Sequence, residues 1–201
     1  MKTKIIAVKG TWQEVLNKCR FTVGKEPINK EPSDLFKENI LIAEHSPIRS
    51  IVIDWTWLNI KHWVGVHWVR HKWEKWLRTA RTDRTGIPRD KLPQDEPQDF
   101  WGEANVQHLI DTMRKRLCFQ ASNETREYAE DLKVTIANEV SYHIADVLVP
   151  NCIYRGGCPE TQPCGFWADF IKEHPTILQM SIKERYAVYN MLFMKEHIYV
   201  K

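Results

Sequence analysis

The amino-acid sequence predicts an α+β fold, a mixed or antiparallel sheet flanked by helices, on three observations. Residues 50–58 alternate strictly, with Ile51, Ile53, Trp55 and Trp57 on one face and Ser50, Val52, Asp54 and Thr56 on the other, as a half-buried strand requires. Other stretches carry helical spacing behind capping residues. Strand and helix signals follow one another without the regular βαβ order of a parallel sheet.

In chain order, Ile5 to Val8 reads as a short buried strand, and Thr11-Trp12-Gln13-Glu14 is a capping box that opens a helix to about Arg20. Residues 25–32 hold two prolines, each after Glu, and form a loop before a short helix from Ser33 to about Ile42. After the alternating strand, Lys61 to Leu77 switches to helical spacing. Gly86, Pro88, Pro93 and Pro97 sit among charges between Arg81 and Pro97, which predicts an extended ordered loop of the kind that carries function. Two helices follow, about Ala104 to Cys118 and about Ser122 to Leu148, the second ending before Pro150. A segment with cysteines and glycines, Cys152 to Cys164, precedes a C-terminal helical region. The expected organisation is a main domain over 1–150 with a cysteine-containing extension over 151–201.

The chain has 201 residues, 43% of them hydrophobic and 27% charged, a composition that excludes disorder for most of it. With 29 Lys and Arg against 26 Asp and Glu, the net charge of +3 is too small to point to nucleic acid, so charge is read locally. The basic start is followed by an apolar run too short for a signal-peptide core, and no stretch approaches a membrane span. A cytoplasmic protein with no membrane partner is expected. Five cysteines, an odd number, argue against a disulfide framework and leave reduced thiols or a metal site. Six of nine tryptophans lie between Trp55 and Trp76.

The chemistry-bearing residues gather in two stretches. Val69-Arg70-His71-Lys72 is followed by Lys75, Arg78, Arg81, Arg84 and Arg89 among Trp73 and Trp76. Guanidinium forks suit phosphate oxygens, and aromatic faces suit nucleobases or a flavin ring. A nucleotide or cofactor site, a groove for single-stranded nucleic acid, and a solvated basic face over a tryptophan core are the three readings. His67 and His71 have the i, i+4 spacing of a metal grip, but no acidic residue completes an HExxH pattern. Arg114, Arg116 and Arg126 flank the junction of the next two helices and can converge there.

These residues, taken in order, resemble the flavin-dependent thymidylate synthases. Arg70-His71-Lys72 followed by Thr79-Ala80-Arg81 is similar to the family's Arg-His-Arg and Ser-x-Arg, and Arg89 with Leu92-Pro93 to its Arg-x-x-Leu-Pro. Asn105, Arg116, Ala121, Glu124 and Arg126 fall in the register of Asn-x-Arg and Ala-Gln-x-Glu-x-Arg, while Arg20 to Lys25 and Ser46-Pro47-Ile48 resemble two N-terminal motifs. The resemblance covers about residues 15–147.

The resemblance implies an enzyme that reductively methylates dUMP to dTMP with FAD, taking a one-carbon unit from methylenetetrahydrofolate and electrons from NADPH, in a homotetramer whose FAD sites are shared between subunits. It implies Thr22, Ser46, Arg70, His71, Lys72, Asn105 and Gln107 as FAD contacts. His67, Thr79, Arg81 and Arg89 would hold dUMP, with Arg126 against the pyrimidine as the catalytic residue. A flavin-dependent pyrimidine hydroxymethylase and a catalytically silent nucleotide- or single-strand-binding module are the alternatives.

Departures from the pattern are Lys72 in place of an arginine, Arg49 in place of a glutamate, Val106 and Gln107 in place of Ala and Arg, and Glu44 where a histidine is usual. Pro163-Cys164-Gly165 lacks the histidine that follows the nucleophile of the folate-only thymidylate synthases, and the chain is too short for that family. Cys118, Cys152, Cys158 and Cys164 supply the four thiolates of a closed structural zinc site.

Overall fold

In the computed structural model, which describes residues 2–197, four antiparallel strands form one sheet in the order β1-β2-β4-β3. They are β1 (Thr3–Lys9), β2 (Val52–Lys61), β3 (Glu74–Leu77) and β4 (Pro97–Asn105). The helices are α1 (Trp12–Thr22), α2 (Asp34–Ile42), α3 (His62–Val69), α4 (Thr82–Thr85), α5 (Val106–Arg116), α6 (Asn123–Glu139), α7 (Tyr142–Asp146), α8 (Asn151–Arg155), α9 (Phe166–Glu173) and α10 (Ile182–Glu196). The α+β expectation holds, and the sheet is antiparallel throughout.

The alternation of β2 does what its pattern requires. Ile53, Trp55 and Trp57 are fully buried, and Trp57 packs on Trp68 of α3 at 4.7 Å and on Phe100 at 5.2 Å. Trp55 meets Trp73 at 5.1 Å, so four of the clustered tryptophans make one aromatic core under the sheet. Two of their indole N–H groups are satisfied by hydroxyls, Trp57 by Thr3 at 2.8 Å and Trp73 by Thr112 at 3.0 Å. Gly102, opposite Trp55 on β4, leaves room for that indole, since a Cβ there would overlap the ring. Trp76 and Trp101 pair across β3 and β4 on the opposite face, 53% and 39% exposed.

Two expectations are corrected. The helix expected over residues 61–77 stops at Val69, and Glu74 to Leu77 forms an edge strand whose Leu77 and Lys75 turn inward while Trp76 turns out. The partner strand β4 was hidden by its composition, because Pro97, Asp99, Gly102 and Glu103 are poor strand formers; only the buried alternation of Gln98, Phe100, Gly102 and Ala104 betrays it. The helix expected to run to Leu148 ends at Glu139, capped by Val140 outside helical geometry, and resumes as the short α7.

Residues after 150 join the same hydrophobic cluster: Ile153, Phe170, Ile177, Tyr186, Tyr189 and Phe193 pack with Leu132, Ile136 and Leu148. Lys133 of α6 is buried in that joint and donates to the carbonyls of Ala145 and Leu148 and to Asn190 Oδ1 of α10, at 3.0, 2.7 and 2.6 Å. Among the described residues no helix is long and apolar enough to cross a membrane.

Candidate active site

Helix α3 packs on β2 and β4 and ends where α5 ends and α6 begins. That convergence gathers His67, Arg70, His71, Arg116 and Thr125. Arg116, the last residue of α5, donates from Nε to His71 Nε2 at 2.8 Å and from a terminal nitrogen to the His67 carbonyl at 2.6 Å. A guanidinium only donates, so His71 accepts at Nε2 and carries its proton on Nδ1. The His71 ring lies parallel to Trp73, 5° between planes, and Lys75 clamps the turn by donating to the carbonyls of His71 and Trp73 at 2.5 and 2.6 Å. On the other side, His67 Nδ1 meets the buried Thr125 hydroxyl at 2.8 Å.

The electrostatics follow from burial beside like charges. Burial, then Arg116 and Lys75, push His71 down to about 4, and burial with Arg116 and Arg70 lowers His67, so both imidazoles are neutral at pH 7. Burial and then Arg70 lower Arg116 itself. Among the described residues neither Arg70 nor Arg116 has an acidic partner, which leaves two neighbouring positive charges suited to an anion.

Arg126, expected at the pyrimidine, is engaged within its own helix and with the loop before it. Its Nε donates to Glu130 at 3.0 Å and its guanidinium lies over Phe119 at 4.2 Å. The cause is helical phase: Thr125 faces His67, so the next residue points about 100° away. The arginine that reaches the histidines is Arg116, which the sequence placed in the motif register without a role; its position at the helix end nearest Arg70 was the available signal.

The remaining expected residues fall into four places. Thr22 and Ser46 share a cavity of about 520 Å³ with Lys18 and Ser50, although the Thr22 hydroxyl is given to the Cys19 carbonyl at 2.8 Å. Asn105 caps α5 by accepting from the His108 N–H at 2.9 Å. Gln107 donates at 2.6 Å to Glu44, whose left-handed backbone (φ 51°) turns its carboxylate toward Gln107 and Arg114. Arg114 stacks on Tyr154 at 3.5 Å, so a contact expected for FAD is held within a closed ion-pair cluster. Lys72 is exposed beside His71. Thr79 lines a cavity of about 380 Å³ with Arg78 and Arg84, while Arg81 is bound to Asp83 at 3.0 and 2.8 Å and Arg89 lies in an exposed turn. This basic loop sits at the start of α3, where the His62 N–H donates to the Glu96 carbonyl at 3.0 Å, and Arg116 sits at its end.

The four cysteines expected to hold zinc do not assemble a metal site. Cys118, Cys152, Cys158 and Cys164 are all reduced thiols, and among the described residues no three His, Cys, Asp or Glu side chains come together to hold a metal ion. Cys152 is buried within α8 while Cys164 is exposed on the following loop, and burial pushes the Cys152 thiol up to about 12.

No family model and no curated protein matches the chain. Among solved structures, the flavin-dependent thymidylate synthase of Helicobacter pylori complexed with FAD and dUMP matches with a TM-score of 0.61 in one crystal structure and 0.59 in another, at 12% identity in both. The matches cover 74% and 73% of this chain and 99% of the other. A UMP/dUMP methylase of Streptomyces cacaoi, bound with 5-Br dUMP, matches with a TM-score of 0.58 at 13% identity, over 73% of this chain and 94% of the other. The fold is that of the flavin-dependent thymidylate synthases. Glu44 and Gln107, two of the positions at which the sequence departs from the motifs it resembles, are bonded to each other, with Arg114 on the same carboxylate.

Proposed function

We propose that this chain is a flavin-dependent enzyme that modifies dUMP, by reductive methylation to dTMP with methylenetetrahydrofolate and NADPH. The observation that carries the reading is the end of α3, where Arg116 bonds to His71 and to the His67 carbonyl and, like the exposed Arg70 whose charge acts on it, has no acidic partner among the described residues. That arrangement fits a phosphate-bearing ligand, and the likeness of the fold to FAD- and dUMP-bound enzymes supports which one. Arg70, His71 and Lys72 would hold FAD, and His67 with Arg116 the nucleotide; Arg116 takes the part that the sequence resemblance gives to Arg126.

FAD, when bound, supplies the electron transfer that this chemistry needs. The protein's own contribution is positional and electrostatic. Arg116 would bind the nucleotide and oppose charge that develops on the pyrimidine, Arg70 would bind the cofactor beside it, and the Lys75 clamp keeps His71 against Trp73. Since His71 gives its Nε2 lone pair to Arg116, it acts as a fixed donor through Nδ1 and not as a base.

A homotetramer belongs to the same proposal. The basic loop around Arg78, Thr79 and Arg84 and the Arg70–Arg116 pair lie at opposite ends of α3, about 12 Å apart along eight residues. A second copy that brings its loop to the other's arginine pair completes a site that one chain leaves open. The Glu44–Gln107 contact favours a second reading, a nucleotide-binding module without turnover, because it withdraws one expected FAD contact.

The test is direct. Purified protein should show flavin absorbance or take up added FAD, and incubation with dUMP, methylenetetrahydrofolate and NADPH should yield a product whose mass is that of dTMP. A hydroxymethylated product would replace the methylation step. Protein that binds dUMP but neither takes up FAD nor turns over would establish the silent module, and protein that binds neither ligand overturns the proposal.

A further inference from the structure

We infer that Thr125 and Ser122 are positioning residues that fix His67 as an Nε2–H donor facing the arginine pair, which deepens the reading proposed above and rests on it for the identity of the ligand. Thr125 is fully buried in the first turn of α6, where its hydroxyl meets His67 Nδ1 at 2.8 Å. Behind it stands Ser122, the N-cap of the same helix. Ser122 Oγ accepts the Thr125 N–H at 3.4 Å and donates its own hydrogen to Thr125 Oγ1 at 2.9 Å.

The direction of this short chain follows from counting protons. A hydroxyl has one hydrogen; with Ser122 donating to Thr125, the Thr125 hydrogen goes to His67 Nδ1, and the imidazole proton is left on Nε2. In the other tautomer His67 Nδ1–H would donate into Thr125 Oγ1, and the hydrogen of that fully buried hydroxyl would have no acceptor among the described residues. Arg116 and Arg70 are the charged groups that face His67, and the Trp63 ring meets it edge-on at 5.5 Å. The neutral ring therefore adds a directed, uncharged donor to two guanidiniums.

Arg116 sets His71 in the opposite tautomer, Nδ1–H. Two histidines one helical turn apart thus present their donors through different nitrogens, each assigned by a different helix. The ligand class that such a site takes is an anion with a second acceptor beside it, a phosphate monoester or a pyrimidine carbonyl. No step of the reaction passes through Thr125 or Ser122; they act only through His67.

Long-range ¹⁵N–¹H correlation spectra of the folded full-length protein, with the His67 signals assigned by their loss in His67→Asn, decide the inference. The wild type should show Nε2–H at His67. Thr125→Val, close in shape but without the hydroxyl, should abolish that preference, and Thr125→Ser should keep it. Ser122→Ala, which leaves Thr125 in place, should shift His67 toward a mixture and serves if the valine variant fails to fold. An Nδ1–H tautomer in the wild type, or one unchanged in both Thr125→Val and Ser122→Ala, overturns the inference. By calorimetry, Thr125→Val should weaken dUMP about tenfold and Thr125→Ser far less, with FAD uptake unchanged. A wild type that shows the expected tautomer but binds no dUMP would overturn the ligand assignment and leave the positioning role standing.

Discussion

Replacing Arg116 by Met, with Arg126→Met as its counterpart, separates the arginine that the structure joins to the histidines from the one to which the sequence resemblance gives the catalytic role. Arg116 donates to His71 Nε2 and to the His67 carbonyl and faces Arg70. Its loss leaves a half-buried ring nitrogen without its donor, at a cost of about 1 kcal/mol, which in a chain of this length lowers Tm by about 2–4 °C for each kcal/mol. It also removes the charged donor assigned to the nucleotide. A hydrogen bond to a charged group contributes about 1.5–3 kcal/mol, so dUMP should bind about 10- to 100-fold more weakly. The His71 titration should rise from about 4 without reaching 6.5, because burial, the larger cause of its depression, remains. Arg126→Met removes a helical pair whose two side chains are each 20% exposed, at a cost below about 1 kcal/mol, and should leave dUMP affinity within about twofold. Calorimetry with dUMP and an NMR titration of His71 read both variants. A severe loss of affinity in Arg126→Met with none in Arg116→Met would refute the assignment.

Other outcomes follow from the same geometry. His71 titrates near 4 in the folded protein against 6.5 in the unfolded chain, so between those values the unfolded state binds more protons and stability falls as pH drops from 6.5 toward 4; urea midpoints should show this decline, and His71→Asn should reduce it. Lys133 is depressed to about 7 from 10.5, so the unfolded chain again binds more protons in that window and stability should rise from pH 7 to about 10, a rise that Lys133→Met abolishes in the same assay. At neutral pH that substitution also strips three buried acceptors of their partner, a loss of about 3 kcal/mol by urea unfolding. Gly102→Ala drives a methyl into the Trp55 indole and should destabilise by about 1–3 kcal/mol, with a blue or red displacement of tryptophan emission as the local check.

The features legible in the sequence were those whose cause is local. Alternation from Ile51 to Trp57 and the helix starts at Thr11, Ser33 and Ser122 are each set by residues within a few positions of one another. So was the list of chemistry-bearing residues, and with it the resemblance that named the fold. The edge strand Glu74 to Leu77 was not legible, because its four residues become a strand only by pairing with β4, itself disguised by Pro97 and Gly102.

What the sequence by itself determined is the fold class, the buried face of the alternating strand and the basic residues available for an anion. Only the tertiary structure decided which of them meet. Arg116 and Arg126 are alike as side chains, but the crossing of α3, α5 and α6 turns one to His71 and the other to Glu130. Cys152 and Cys164 act on each other's charge yet differ in burial, one enclosed in α8 and the other exposed on the loop after it, and Gln107 reaches Glu44 across 63 positions of sequence. The physical reason is common to all three. A side chain's direction is fixed by helical phase and by the packing of distant elements, and neither residue type nor spacing carries that information.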